Sequence, residues 1–276
     1  MTSIIETRLN SSGFTRDYCE EIGISFDEIL ELLKELSWKE QFFVPSLEIP
    51  KGMIIMRARL INDLAPLNAI EDYGHPPNGT QYFQRASMPG DKTFYGVLYS
   101  DDPKEKDSAF ITLLHEIFQC EPEDIFGNKL AVSSWRVSEC LKLGCIPNLS
   151  EIEESPNSPT YLHSFINETT KKQIKNLPDQ SEFISRLKKL SKIFHDNDNG
   201  KKARLYQSAI AKYMHEHKDI PCNDGVIYPS IAAKAHGMNV AINVDSGFAK
   251  IQFNKAYTVE ACAVSHKEDY GISFIA

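Results

Sequence analysis

The chain has 276 residues, 42% hydrophobic and 25% charged, with 38 acidic against 30 basic side chains and a net charge of −8. This composition excludes a disordered tail and supplies enough apolar material for a buried core, in one large domain or one domain with a smaller appendage. The negative balance would repel a phosphate backbone, and no long Lys/Arg block offsets it, so direct nucleic-acid binding is not expected.

The first residues hold Glu6 and no apolar run long enough for a secretion signal, and no stretch stays apolar over the roughly 18 residues a membrane span needs. A soluble, cytoplasmic protein without membrane contact is expected. Cysteines 19, 120, 140, 145, 222 and 262 are scattered through a chain large enough to fold without staples, and read as reduced thiols.

Residues 25–37 carry Phe26, Ile29, Leu30, Leu32, Leu33 and Leu36 at helical spacing, with Ser25 as N-cap and Glu28 completing a capping box. Pro45 and Pro50-Lys51-Gly52 then mark the end of a small helical N-terminal segment, residues 1–50, before a main domain over 51–276. Stretches 53–60 and 92–100 are strand-prone, with turn-rich 74–79 and 88–91 between them. Helical periodicity resumes over 107–119, and 128–137 reads as a strand or an edge.

Residues 147–181, rich in Pro, Ser, Asn and Glu, read as surface loop. Helices are predicted over 181–194 and 201–217, and strands over 225–231, 238–244, 256–264 and 271–275. Strands at both ends with helices between them give an α+β class rather than a regular alternation.

The phosphate-cradling GxGxxG and GxxxxGK[ST] patterns and the GxSxG elbow are absent. His115-Glu116 with Cys120 lacks the second histidine of an HExxH zinc helix and is not read as a metal site. His215 and His217 close a helix, where a solvated or capping role is the expectation.

Four segments, MRARL, RASMPGDKTFY, SAFITLLHE and DGVIYPS, together resemble the RES-domain family, the NAD-consuming toxins of Xre-RES toxin–antitoxin pairs, whose fold is related to ADP-ribosyltransferases. Arg57 matches the family's opening arginine, with Arg59 as the alternative two residues on. Arg85 and Tyr95 match an arginine followed by a strand tyrosine, with Tyr99 as the alternative, Glu116 the helix glutamate and Ser230 the serine after an apolar strand. The resemblance spans roughly 53–245, and it departs where the family's usual Arg-Trp-Asn reads Arg85-Ala86-Ser87 and where DDPKEKDS lengthens the tyrosine-to-glutamate interval.

What the resemblance implies is a split β-sheet core with flanking helices and an enzyme that splits NAD, with water or inorganic phosphate as acceptor. Glu116, Arg85 and Tyr95 would be catalytic, and Arg57, Arg59 and Ser230 would bind NAD, the substrate. It also implies a growth-inhibiting toxin with an antitoxin protein as partner. Transfer of ADP-ribose to a protein is the alternative in the same fold. A non-catalytic module, docking a partner through the apolar face of helix 25–37, is the alternative from another class. The first 50 residues are left as an antitoxin contact, a homo-oligomer interface or a lid on the core.

Overall fold

A computed structural model describes residues 4–38, 41–42, 44–61, 67, 69–100, 108–118, 129–147, 161–195, 200–216, 223–230, 237–263 and 270–275. Three helices open the chain: α1 (Ile4–Ser11), α2 (Arg16–Ile22) and α3 (Phe26–Leu36). Only α3 is long and periodic enough to be read from sequence. Its Ser25 hydroxyl caps it by accepting from the Asp27 N–H at 3.2 Å, while Glu28 reaches across to accept from the Tyr206 hydroxyl at 3.0 Å. α1 and α2, 8 and 7 residues long, are too short to be stable alone and form because Ile5, Leu9 and Cys19 are buried against the rest of the chain.

The apolar face of α3, Phe26, Ile29, Leu30, Leu33 and Leu36, is buried in the chain's own core. At roughly 1.5–3 kcal/mol for each large side chain removed from water, that face is committed to folding. This corrects the reading in which it docks a second protein.

The helical character expected of the first 50 residues ends at Leu36. A small hairpin, β1 (Ser37–Trp38) with β2 (Gln41–Phe42), follows, and β3 (Ser46–Ile49) enters the large sheet. The remaining strands are β4 (Ile54–Leu60), β5 (Thr93–Tyr99), β6 (Lys129–Val137), β7 (Leu141–Cys145), β8 (Gly225–Pro229), β9 (Met238–Asn243), β10 (Ile251–Ala263) and β11 (Tyr270–Ile275). The remaining helices are α4 (Ser108–Phe118), α5 (Tyr161–Lys175), α6 (Gln180–Phe194) and α7 (Lys201–Glu216). This is the expected α+β mixture.

The nine strands lie in the order β11-β10-β6-β4-β5-β9-β8-β7-β3. β6 sits between β10 and β4 with six consecutive buried residues, 130–135, so it is a central strand and not an edge. Neighbours are antiparallel except β7 and β8, which are parallel. A parallel pair needs a long crossover, and the chain between these two strands supplies it with α5, α6 and α7. Hence α5 stands inside the stretch read as loop. Among its described side chains the buried Ile166, Thr170 and Ile174 recur every four residues, within a segment whose polar composition masks the period.

Side chains alternate across the sheet and build distinct cores. One face buries Ile55, Phe94, Leu98 and Trp135 with Ile166 of α5. On the other, the helices α1–α3, α6 and α7 cover β8 and β9 around Tyr213 and Phe194, while α4 covers β4 and the end of β5 through Ala109 and Leu113. α4 and the helical cluster thus leave a gap between them above the first half of β5.

His215 departs from the solvated role expected of it. Burial first, then Lys212, pulls its pKa from 6.5 down to about 4, against the opposing Asp224, and its Nδ1 has no hydrogen-bond partner among the described residues. Desolvation outweighs the attraction of the helix C-terminus for a cation. The folded state disfavours the imidazolium, so this stability is complete above pH 6.5 and is lost as pH falls toward 4. The expected loss, on the order of 3 kcal/mol, is measurable as a denaturation midpoint that drops more steeply with acid in wild type than in His215→Gln. Equal pH dependence in the two would contradict it. His217 lies outside the described residues.

No helix among the described residues is long and apolar enough to cross a membrane. Cys19, Cys140 and Cys145 form no disulfide among the described residues; Cys120 and Cys222 lie outside them.

Candidate active site

β4 and β5 pair only where Ile54–Met56 meets Val97–Tyr99. Beyond that point β4 continues along β6 to Leu60, and β5 continues along β9 back to Thr93. The sheet opens there, and a cavity of about 570 Å³ occupies the opening beneath α4, a size usual for small-molecule sites. Arg57, Arg85, Tyr95 and Glu116 all line it, together with Arg204, Tyr228 and Asn239.

Alternation places Arg57 on the face that holds Ile55 and Phe94, and its guanidinium lies 5.5 Å from the Phe94 ring centre. Through the opening, Nη1 donates to the Tyr95 carbonyl at 2.7 Å, while Nε is buried without a partner among the described residues. Burial, then the neighbouring Arg59, lowers the Arg57 pKa to about 10, which leaves it charged at neutral pH. Arg59, on the same side two residues on, donates to the Asp72 carbonyl and is not among the residues lining the cavity. Of the two arginines considered, Arg57 is the one at the cavity.

Tyr95 points to the opposite face. Its hydroxyl accepts from the Ala86 N–H at 3.1 Å and lies 2.8 Å from the Ser87 hydroxyl, and burial raises its pKa so that it stays a neutral phenol. It thereby ties down the loop that carries Arg85. Tyr99 packs instead into the core under α4.

The loop itself is closed at its base by the Thr80 N–H on the Asp91 carbonyl and the Gly90 N–H on the Thr80 carbonyl, at 2.9 and 2.8 Å. The chain crosses itself so closely there that a Cβ on Gly79, whose φ is +76°, would lie 2.3 Å from the Gly90 oxygen. Asp91 anchors the base further through Lys212 of α7 at 2.6 Å, and the Tyr18 ring of α2 meets Phe83 edge-on at 5.6 Å. So the N-terminal helices brace a cavity wall. Tyr82, at the tip of that wall, is 74% exposed.

Arg85 donates to the Phe194 carbonyl, at the end of α6, where the helix dipole is negative. Arg204, in the first turn of α7, donates to Gln207 at 3.1 Å; burial first, then Arg85, depresses its pKa. Two like charges are therefore held within each other's field. Tyr228 feels both guanidiniums and Glu116, and burial first raises its pKa well above the usual phenol value.

Glu116 projects from the third turn of α4. Its Oε1 accepts two hydrogen bonds, from the Ser230 hydroxyl and from the Asn239 side-chain amide, both at 2.6 Å. Ser230 is fully buried and stands behind the carboxylate rather than in the cavity wall. His115, its neighbour on the helix, is exposed.

Among the described residues, three guanidiniums against one carboxylate make the cavity lining locally cationic on a chain of net charge −8, the arrangement that attracts an anionic ligand. Tyr82, Phe83, Tyr95 and Tyr228 supply flat apolar surface around them. Arg204, Tyr228 and Asn239 are absent from the sequence-derived set. Arg204 sits in a basic run, Lys201-Lys202-Ala203-Arg204, that reads as a solvated helix start, and Tyr228 in an apolar strand. Asn239 does leave a sequence signal: a lone amide among Met238, Val240, Ala241 and Ile242 is a buried polar group in need of a partner.

No protein-family model matches this chain, and no curated protein matches it. Among solved structures, the M. tuberculosis MbcT–MbcA toxin–antitoxin complex aligns over 76% of this chain and 86% of that one, at 10% identity and a TM-score of 0.37.

Proposed function

We propose that the cavity binds NAD and that the protein cleaves the bond between nicotinamide and ribose. The supporting observation is that Arg57, Arg85, Tyr95 and Glu116, chosen from three separate segments of sequence, border one cavity, with Ser230 of a fourth segment bonded to the glutamate behind it. Cleavage develops an oxocarbenium ion while the cationic pyridinium leaves as a neutral base, so no strong general acid is required. Glu116 stabilises the developing positive charge and orients the acceptor. The arginines grip the pyrophosphate with charge-assisted bonds.

In the cell such a reaction depletes a central cofactor. We propose accordingly a growth-inhibiting role held in check by an antitoxin protein, which is what the RES resemblance implies. Incubation of the purified protein with NAD, following nicotinamide, tests the activity. The second product identifies the acceptor: ADP-ribose for water, ADP-ribose phosphate for inorganic phosphate, a labelled protein band for ADP-ribosyl transfer. Absence of nicotinamide release under all three conditions overturns the reading.

An exposed aromatic on the rim of a charged cavity contributes little to folding, and Tyr82, which lines the cavity, would stack on a ring of the substrate. Tyr82→Ala is expected to raise KM for NAD roughly threefold to tenfold with kcat nearly unchanged, and Tyr82→Phe to restore it. An unaltered KM in the alanine variant would remove Tyr82 from the binding surface.

A further inference from the structure

Asn239 stands on β9, paired with Tyr228 of β8 on one side and Val97 of β5 on the other, so its backbone is fixed in the middle of the sheet. The residue is 5% exposed, and its side-chain amide faces α4 and donates to Glu116 Oε1 at 2.6 Å. The Ser230 hydroxyl donates to that same oxygen at 2.6 Å. Each carboxylate oxygen offers about two lone-pair sites in its plane, and at Oε1 both are taken. A strand-borne amide and a strand-end hydroxyl thus fix the rotation of the carboxylate about its last bond.

We infer that Asn239 is a positioning residue for the cleavage reaction, resting on the proposed function: with Ser230 it locks Oε1 and turns Oε2 toward the reacting sugar carbon. A group held in this way loses no time or energy reorienting as charge develops, and the benefit appears in the transition state rather than in ground-state binding. The amide also tells the two oxygens apart. A proton or attacking acceptor can be handled only at Oε2, because donors already cover Oε1. Among the described residues, the other ionisable groups around the carboxylate are Tyr228 of β8, Arg204 of α7 and Arg85 of the loop, with His115 beside it on α4.

The experiment is steady-state nicotinamide release from NAD by wild type, Asn239→Ala and Asn239→Asp across pH. Asn239→Ala is expected to lower kcat roughly tenfold to a hundredfold, the scale seen when a ligand's supporting hydrogen bond is removed, with KM for NAD within about threefold of wild type. Asn239→Asp keeps the shape and sets a second carboxyl against Glu116. At low pH the pair shares one proton and a donor to Oε1 survives, whereas at high pH two like charges face each other.

Its activity, relative to wild type, is therefore expected to fall as pH rises, reversibly in a single sample, which a folding defect does not do. Unchanged kcat in Asn239→Ala, a loss confined to KM, or an Asn239→Asp profile parallel to wild type overturns the positioning role while leaving NAD cleavage standing. No release by wild type overturns the cleavage reading and this role with it.

Discussion

Glu116→Gln is expected to reduce nicotinamide release by roughly a hundredfold to a thousandfold while the protein keeps its fold. Glutamine matches the shape of glutamate, and its amide oxygen can still accept from Ser230 and Asn239 at the Oε1 position. What disappears is the charge. A carboxylate about 4 Å from a developing cation, in surroundings of effective dielectric about 20, is worth about 4 kcal/mol, and losing most of it corresponds to the stated fall in rate. The measurement is single-turnover nicotinamide release beside a thermal melt. Equal rates in variant and wild type, with equal melting, would mean that the carboxylate serves only to join α4 to the sheet.

Gly225→Val is expected to give the largest loss of stability. Gly225 opens β8 with φ +153°, and a Cβ there would lie 2.2 Å from the Ala241 oxygen and 3.0 Å from the Ile242 Cα. Neither side can yield, because Gly225 is in register with Ile242 of β9 and with Leu143 of β7. Backbone strain combined with a steric clash inside the sheet costs about 3–5 kcal/mol, which for a chain of this size lowers the melting temperature on the order of 10 °C. β8 also delivers Tyr228 and, just past its end, Ser230, so residual activity is expected to fall with stability. Unchanged melting would show that β8 tolerates a displaced start.

The parts of the fold that could be read in advance are those whose signal is local. The Ser25 cap and the leucine spacing of α3 place that helix almost to the residue, and the apolar runs of β4, β5, β8 and β9 stand out against the turns that bound them. What could not be read is set by distant partners. α5 looks like loop because polar residues dominate the sequence around its buried Ile166, Thr170 and Ile174, and β3 is a strand because β7 lies beside it. His215 reads as a solvated helix end until its Nδ1 is seen to be buried, with Lys212 and Asp224 close by.

The candidate site divides along the same line. Arg57, Arg85, Tyr95, Glu116 and Ser230 come within reach through the resemblance of four short segments to one family, while telling Arg57 from Arg59 and Tyr95 from Tyr99 at the cavity needs the divergence of β4 from β5. Arg204 and Tyr228 carry no local mark of function. A basic helix start and a strand tyrosine become site residues only through what the fold sets opposite them.

By itself, the sequence determined the class of the fold, its long periodic helices and apolar strands, and the chemical types from which a site could be assembled. Those are properties of residues within a few positions of one another, where side-chain period and capping act. The tertiary structure alone decided where the sheet opens, which guanidiniums face one another and that a single carboxylate oxygen takes donors from Ser230 and Asn239, 114 and 123 residues away from Glu116. Distance along the chain carries no information about such contacts; they arise from the pairing of strands and the packing of helices over them, and it is there that an acidic chain acquires a cationic cavity.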